Sequence, residues 1–117
     1  MNRYALRCIA LLVTLSVASA ADLTSAEAAT HLTETATVVG IVAQVSERNG
    51  YVFLNFDRPY PQHSFTAFIP AKSLAAAGGA TFLTSLQGKS VAVTGRIIDY
   101  KGKPEIVVTK REQISVR

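Results

Sequence analysis

The sequence predicts a mainly β domain: a five-stranded barrel preceded by a short helix, with a helical connection between its third and fourth strands. Three observations predict it. β-Branched residues run through TATVVGIVAQVSE and KSVAVTGRIID, where stiff side chains suit a pleated surface better than a helix. Asn49-Gly50 joins two strand-like runs, and both residues accept the positive φ that a tight hairpin turn demands. Between Ala71 and Gly88 the texture becomes Ala-rich around a central Gly78-Gly79, which reads as helical turns instead of a strand.

Residues 1–20 are expected to lie outside this domain. Arg3 and Arg7 form a positive start, Ile9 to Val17 an apolar stretch, and Ala18-Ser19-Ala20 a small-residue cleavage site, the pattern of a secretory signal peptide. The apolar stretch is too short for a permanent membrane span. Cleavage after Ala20 predicts a periplasmic or secreted monomer with no stable membrane insertion. The sole cysteine, Cys8, falls within the signal, so the processed chain has none for a disulfide. Stability must then come from a compact core.

Residues 21–34 are the expected helical lead-in, where Thr24-Ser25-Ala26-Glu27 has the spacing of a capping box ahead of a helix over Ser25 to His31. Residues 35–117 are the expected barrel. The first strand covers Thr35 to Glu47 and the second Tyr51 to Phe56. Two prolines in DRPYPQH exclude a ladder there, so Asp57 to His63 is a loop. The third strand runs from Ser64 to Ile69 and stops at Pro70. In the connection that follows, Phe82 and Leu86 are spaced to share one face of a helical turn. The fourth strand covers Lys89 to Asp99, a turn at Tyr100-Lys101-Gly102-Lys103 leads to the fifth over Pro104 to Lys110, and REQISVR is a polar tail.

A lead-in helix, three strands, a helical insert and a two-stranded hairpin make the order of a five-stranded OB-fold barrel. Gly40 and Gly95 suit the coiling that such strands need. The pieces Leu54-Asn55-Phe56, Tyr60-Pro61, Phe65-Thr66, Gly88-Lys89, Val93-Thr94-Gly95, Tyr100-Lys101-Gly102 and Pro104-Glu105-Ile106, with the lead-in around Glu27-Ala28 and His31, carry a family resemblance. Together they cover most of residues 24–114 and resemble the small OB-fold domains of secreted bacterial proteins described as nucleic acid-binding, tRNA/helicase-type. The resemblance implies an OB barrel and a nucleic-acid ligand. The chain departs from it over Ala71 to Thr84, where Ala and Gly replace a more polar, aromatic connection.

Reactive groups for catalysis are sparse. His31 and His63 are the only histidines, with no zinc-ligand spacing, no nucleophile elbow and no glycine-rich phosphate loop around them. His63 reads as a solvated loop residue. Glu47, Asp57, Asp99, Glu105 and Glu112 are scattered along the barrel instead of clustered for a metal. No enzyme activity, no metal and no cofactor are expected.

Binding has more support. The chain carries 12 Lys and Arg against 8 Asp and Glu, and residues 38–117 hold ten basic and five acidic side chains, a balance suited to a polyanion. An OB barrel takes a strand across its second and third strands, between its two hairpin loops, with aromatic rings for bases and cations for phosphates. Alternation puts Tyr51, Phe53 and Asn55 on one face and Val52, Leu54 and Phe56 on the other. The polar Asn55 marks its face as the outer one. Phe65, Ala67 and Ile69 then face the core, leaving Phe68 to the surface. The expected single-stranded nucleic-acid site is Arg48, Tyr51, Phe53, Asn55, Tyr60, Arg96, Lys101 and Lys103, with Arg58 and Lys110 extending the positive surface. The alternative partner is a protein segment or an oligosaccharide, bound by a periplasmic adaptor or stress protein.

Overall fold

The computed structural model describes residues 22–117, so the predicted signal peptide and its cleavage site lie outside the described residues. Seven strands form the sheet: β1 (Asp22–Thr24), β2 (Thr35–Arg48), β3 (Tyr51–Phe56), β4 (Phe65–Ile69), β5 (Ser90–Tyr100), β6 (Lys103–Val107) and β7 (Ile114–Val116). The five longer ones are the expected strands, within one to three residues at their ends. They pair in a cycle, β2 with β3, β3 with β4, β4 with β6, β6 with β5, and β5 back to β2. The two short ones are additions. β1 lies parallel to β2, and β7 lies antiparallel to β5 where a polar tail was expected.

The 14-residue β2 serves two partners. Thr35 to Ile41 pair with β5, and Val42 to Arg48 pair with β3, with the register shifting between Val42 and Gln44. Gly40 sits at that change of partner. A Cβ there would collide with the Ser25 hydroxyl and come within 3.0 Å of the Phe56 ring, so the coiled strand needs a bare backbone at this point. Both hairpin turns use positive φ, at Asn49 and Gly50 between β2 and β3 and at Lys101 and Gly102 between β5 and β6.

The short helix expected over Ser25 to His31 is present as a 3-10 helix over Ser25–Thr30. Its capping box is present: Glu27 N donates to Thr24 Oγ1 at 3.2 Å, and Thr24 N donates to Glu27 Oε1 at 2.8 Å. The β4–β5 connection holds a 3-10 turn, Ala71–Ser73, and the short helix α1, Ala80–Thr84. Leu83 and Leu86, fully buried, plug the core from this side. Phe82, expected to share that inward face, is only partly buried, and the Arg111 guanidinium lies 4.0 Å above its ring.

Side chains of Val38, Val42, Leu54, Phe56, Phe65, Ile69, Val91, Val93, Ile97 and Ile106 fill the interior. This confirms the alternation read for the second and third strands. Phe56 and Phe65 meet edge to face, ring centroids 5.1 Å apart.

Candidate nucleic-acid interface

Register across the sheet sorts the outward side chains of β2, β3, β4 and β6 into rows. Gln44 pairs with Asn55, Asn55 with Thr66, and Thr66 with Glu105, so four polar residues on four strands form one line. Most of that line is internally bonded. The Thr66 hydroxyl donates to Asn55 Oδ1 at 2.9 Å, Asn55 Nδ2 donates to Gln44 Oε1 at 2.9 Å, and the Tyr60 backbone N–H donates to the same oxygen at 2.9 Å.

The neighbouring row is aromatic. Ser46 pairs with Phe53, Phe53 with Phe68, and Arg48 with Tyr51. Tyr51 and Phe68 stack with centroids 5.5 Å apart, and Phe53 tilts against Phe68 at 5.1 Å. The result is a cluster of three aromatic rings beside a polar floor.

A cleft of about 530 Å³ opens over both rows, lined by Gln44, Ser46, Arg48, Phe53, Asn55, Tyr60, Pro61, His63, Thr66, Tyr100, Lys101, Lys103, Pro104 and Glu105. A groove of about 420 Å³ shares Phe53, Tyr100 and Glu105 with it and adds Tyr51 and Phe68. Most of the expected site is therefore assembled. Arg48, Phe53, Tyr60, Lys101 and Lys103 line the cleft, and Tyr51 lines the groove.

Three expectations change. Asn55 lies on the expected face but is buried, because its amide is spent bonding Gln44 and Thr66; it shapes the floor instead of reaching out. Arg96 is exposed but pairs with Thr35 on another stretch of sheet and does not line the cleft; nor do Arg58 and Lys110. His63 is 6% exposed instead of solvated, since the proline-bearing loop folds over it and Tyr60 stacks on its ring at 5.7 Å.

The electrostatics follow from that burial. Lys103 Nζ donates to the His63 carbonyl at 2.6 Å, and burial together with the Lys103 charge holds the imidazole below its usual pKa. Among the described residues, His63 Nδ1 is buried with no hydrogen-bond partner. Glu105, 5% exposed, has its carboxyl pushed up to about 7 by desolvation. Lys101 Nζ rests 5.3 Å from the Tyr100 ring centre, so the β5–β6 turn presents a cation and an aromatic together.

Gln44, His63, Tyr100 and Glu105 were not among the expected site residues. For Gln44 a signal was present, since Gln44, Ser46 and Arg48 alternate on one strand. Among the described residues, no three His, Cys, Asp or Glu side chains gather where a metal ion could sit, and no helix is long and apolar enough to cross a membrane.

No protein-family model matches the chain, and no curated protein matches it in sequence. Solved structures do match. An OBody bound to hen egg-white lysozyme is similar with a TM-score of 0.57 and 16% identity, covering 87% of this chain and 98% of its own. The S. pombe Stn1–Ten1 complex gives a TM-score of 0.53 and 14% identity over 71% of this chain and 57% of that one. A Leishmania major chain described as an aspartyl-tRNA synthetase gives 0.56 and 11% identity; 92% of this chain matches 22% of that one. This chain therefore spans about a fifth of the synthetase it matches. These likenesses show a mainly β, OB-type fold.

Proposed function

We propose that this protein is an exported, non-catalytic OB module that binds single-stranded nucleic acid in the cleft over β2, β3 and β6. One observation carries the reading: aromatic faces (Phe53, Tyr60, Tyr100) and cations (Arg48, Lys101, Lys103) line a single open cleft on the strand-binding face of the fold. Bases stack on the rings and phosphates follow the cations. The neighbours add support, because one is described as a tRNA synthetase. Export rests on the pattern of residues 1–20.

Fluorescence anisotropy with a labelled single-stranded oligonucleotide, titrated across a salt series, tests it. Three cations meeting phosphates give a log–log salt slope of about −2 for a single strand. A flat salt response, or no binding at micromolar protein, overturns the reading.

A second reading is that the same face takes a protein segment, as an adaptor would. The OBody neighbour, bound to lysozyme, favours it. Recovery of a stoichiometric protein partner from nuclease-treated periplasmic extract, without oligonucleotide binding, would select it.

A further inference from the structure

We propose that Glu105 is the specificity-determining residue of the cleft: as a neutral acid it accepts any stacked base, and as a carboxylate it selects guanine. The inference rests on the nucleic-acid reading above and goes on to name what is read.

The polar floor singles out Glu105. Thr66, Asn55 and Gln44 spend their facing groups on one another and on the Tyr60 N–H, with every donor–acceptor distance at 2.9 Å. Glu105, next in register after Thr66, receives no hydrogen bond from any described side chain. It is 5% exposed, yet it lines both the cleft and the adjoining groove, beside Phe53 in each. A base lying on the Phe53 ring brings its polar edge to this carboxyl, the floor's one acidic group, which no described side chain bonds. Covering that carboxyl without bonding it is costly, so the base must supply what the carboxyl needs.

What it needs depends on its proton. A carboxylic acid offers one donor and one acceptor, and a carboxylate offers acceptors alone. Each base has a donor beside an acceptor on its Watson–Crick edge, so the acid pairs with all four. Guanine alone sets two N–H donors side by side, at N1 and N2, to match two carboxylate oxygens. Burial places the carboxyl at about 7, so both forms are accessible near neutrality.

The other titratable groups around the cleft do not produce this pattern. Arg48 from β2, Lys103 from β6 and Lys101 from the turn attract every strand alike, whatever base it carries. His63 from the loop, its imidazole held below the usual pKa by burial and Lys103, is unchanged in Glu105→Gln, so that variant separates its titration from that of Glu105. Tyr51 from β3, Tyr60 from the loop and Tyr100 from β5 offer faces for stacking, and β4 presents Thr66 and Phe68, neither of which titrates. The ratio between bases, as distinct from overall affinity, therefore reports Glu105.

The test uses octanucleotides that are abasic except for one central A, C, G or T, titrated by anisotropy at pH 5.5 and pH 8.5 in constant salt. The four Kd values are expected to agree within about threefold at pH 5.5, and guanine to lead by at least about tenfold at pH 8.5. Glu105→Gln, a fixed donor and acceptor, is expected to abolish the pH-dependent preference. A wild-type ratio that is the same at both pH values, or a change that persists in Glu105→Gln, overturns the inference while leaving nucleic-acid binding intact. Binding of none of the four at either pH overturns both. Should Glu105→Gln fail to fold, carbon-detected NMR titration of the wild-type Glu105 carboxyl decides. The guanine octamer should lower its pKa and the thymine octamer raise it, and shifts of the same sign overturn the proposal.

Discussion

Asn55 and Thr66 face each other across β3 and β4 and are joined by a buried hydrogen bond of 2.9 Å, from the Thr66 hydroxyl to Asn55 Oδ1. This bond sits directly beneath the cleft. It allows an amide to be buried at a position where alternation alone implies exposure, and it makes the floor stiff.

Breaking that bond from one side should be expensive. Asn55→Ala leaves the buried Thr66 hydroxyl without its acceptor and Gln44 Oε1 with the Tyr60 N–H alone, at a cost of about 1–3 kcal/mol. Urea unfolding should show the midpoint fall with the slope unchanged. A loss under 0.5 kcal/mol would mean that water replaces the amide.

The stacking role separates from the packing role at Tyr60. Tyr60 is 71% exposed and, among the described residues, its ring stacks only on His63, whereas Phe53 also supports Phe68. Tyr60→Ala should weaken oligonucleotide binding by about 1–3 kcal/mol with little change in melting temperature. Phe53→Ala should lower both affinity and stability. Equal melting temperatures for wild type and Phe53→Ala would contradict the cluster's structural part.

Charge in the cleft should matter more than charge elsewhere. Lys101→Gln or Lys103→Gln should each reduce the salt slope by about 0.7, the contribution of one phosphate contact on a single strand. Arg96→Gln, outside the cleft, should leave the slope unaltered. A comparable drop from Arg96→Gln would place the ligand on another face.

Stability should fall as pH rises through the Glu105 titration. Its folded pKa is raised from 4.5 to about 7, so between these values the folded state holds the proton more tightly than the unfolded state. The associated stability is full below pH 4.5, declines to about pH 7, and is absent above; a shift of this size corresponds to roughly 3 kcal/mol. His63 works in the opposite sense, because its pKa is lowered: its contribution is present above pH 6.5 and is lost as pH falls through the folded value. Thermal melts of Glu105→Gln against wild type isolate the first effect. The variant should gain on the wild type from pH 5 to pH 8, and parallel pH profiles would refute the assignment.

Close backbone approach predicts a steric penalty at Gly95. A Cβ there would sit 2.7 Å from Ile106 Cγ2, so Gly95→Ala must push β5 off β6 or twist Ile106 from its rotamer. The expected cost is about 1–3 kcal/mol, read from chemical denaturation.

Local pattern carried the strands well where it was long enough to repeat. Tyr51 to Phe56 was legible to the residue, because alternation and Asn-Gly agree. β1 and β7 were not, since three residues show no period and both are held by pairing to distant partners. The site divides in the same way. Arg48, Lys101 and Lys103 could be found from hairpin logic, because each lies at or beside a tight turn, and Phe53 from the alternation of its strand. Glu105 could not, since its place beside Thr66 comes from parallel pairing of β4 with β6, two strands separated by the whole helical connection. Arg96 was misplaced for the converse reason. Its charge was visible in the sequence, but its partner Thr35 was not.

The double duty of β2 also governs when this fold can form. Its second half meets β3 through a two-residue turn, a local event on the microsecond scale. Its first half must wait for β5, since Thr35 pairs with Arg96 and Ile41 with Ser90 across nearly the whole intervening chain. Closing so large a loop is slow compared with helix formation. The hairpin that carries Arg48, Tyr51 and Phe53 can therefore precede the rest, while the floor line ending at Glu105 exists only after ring closure. A chain halted before β5 would expose the aromatic cluster without the group proposed to read a base on it.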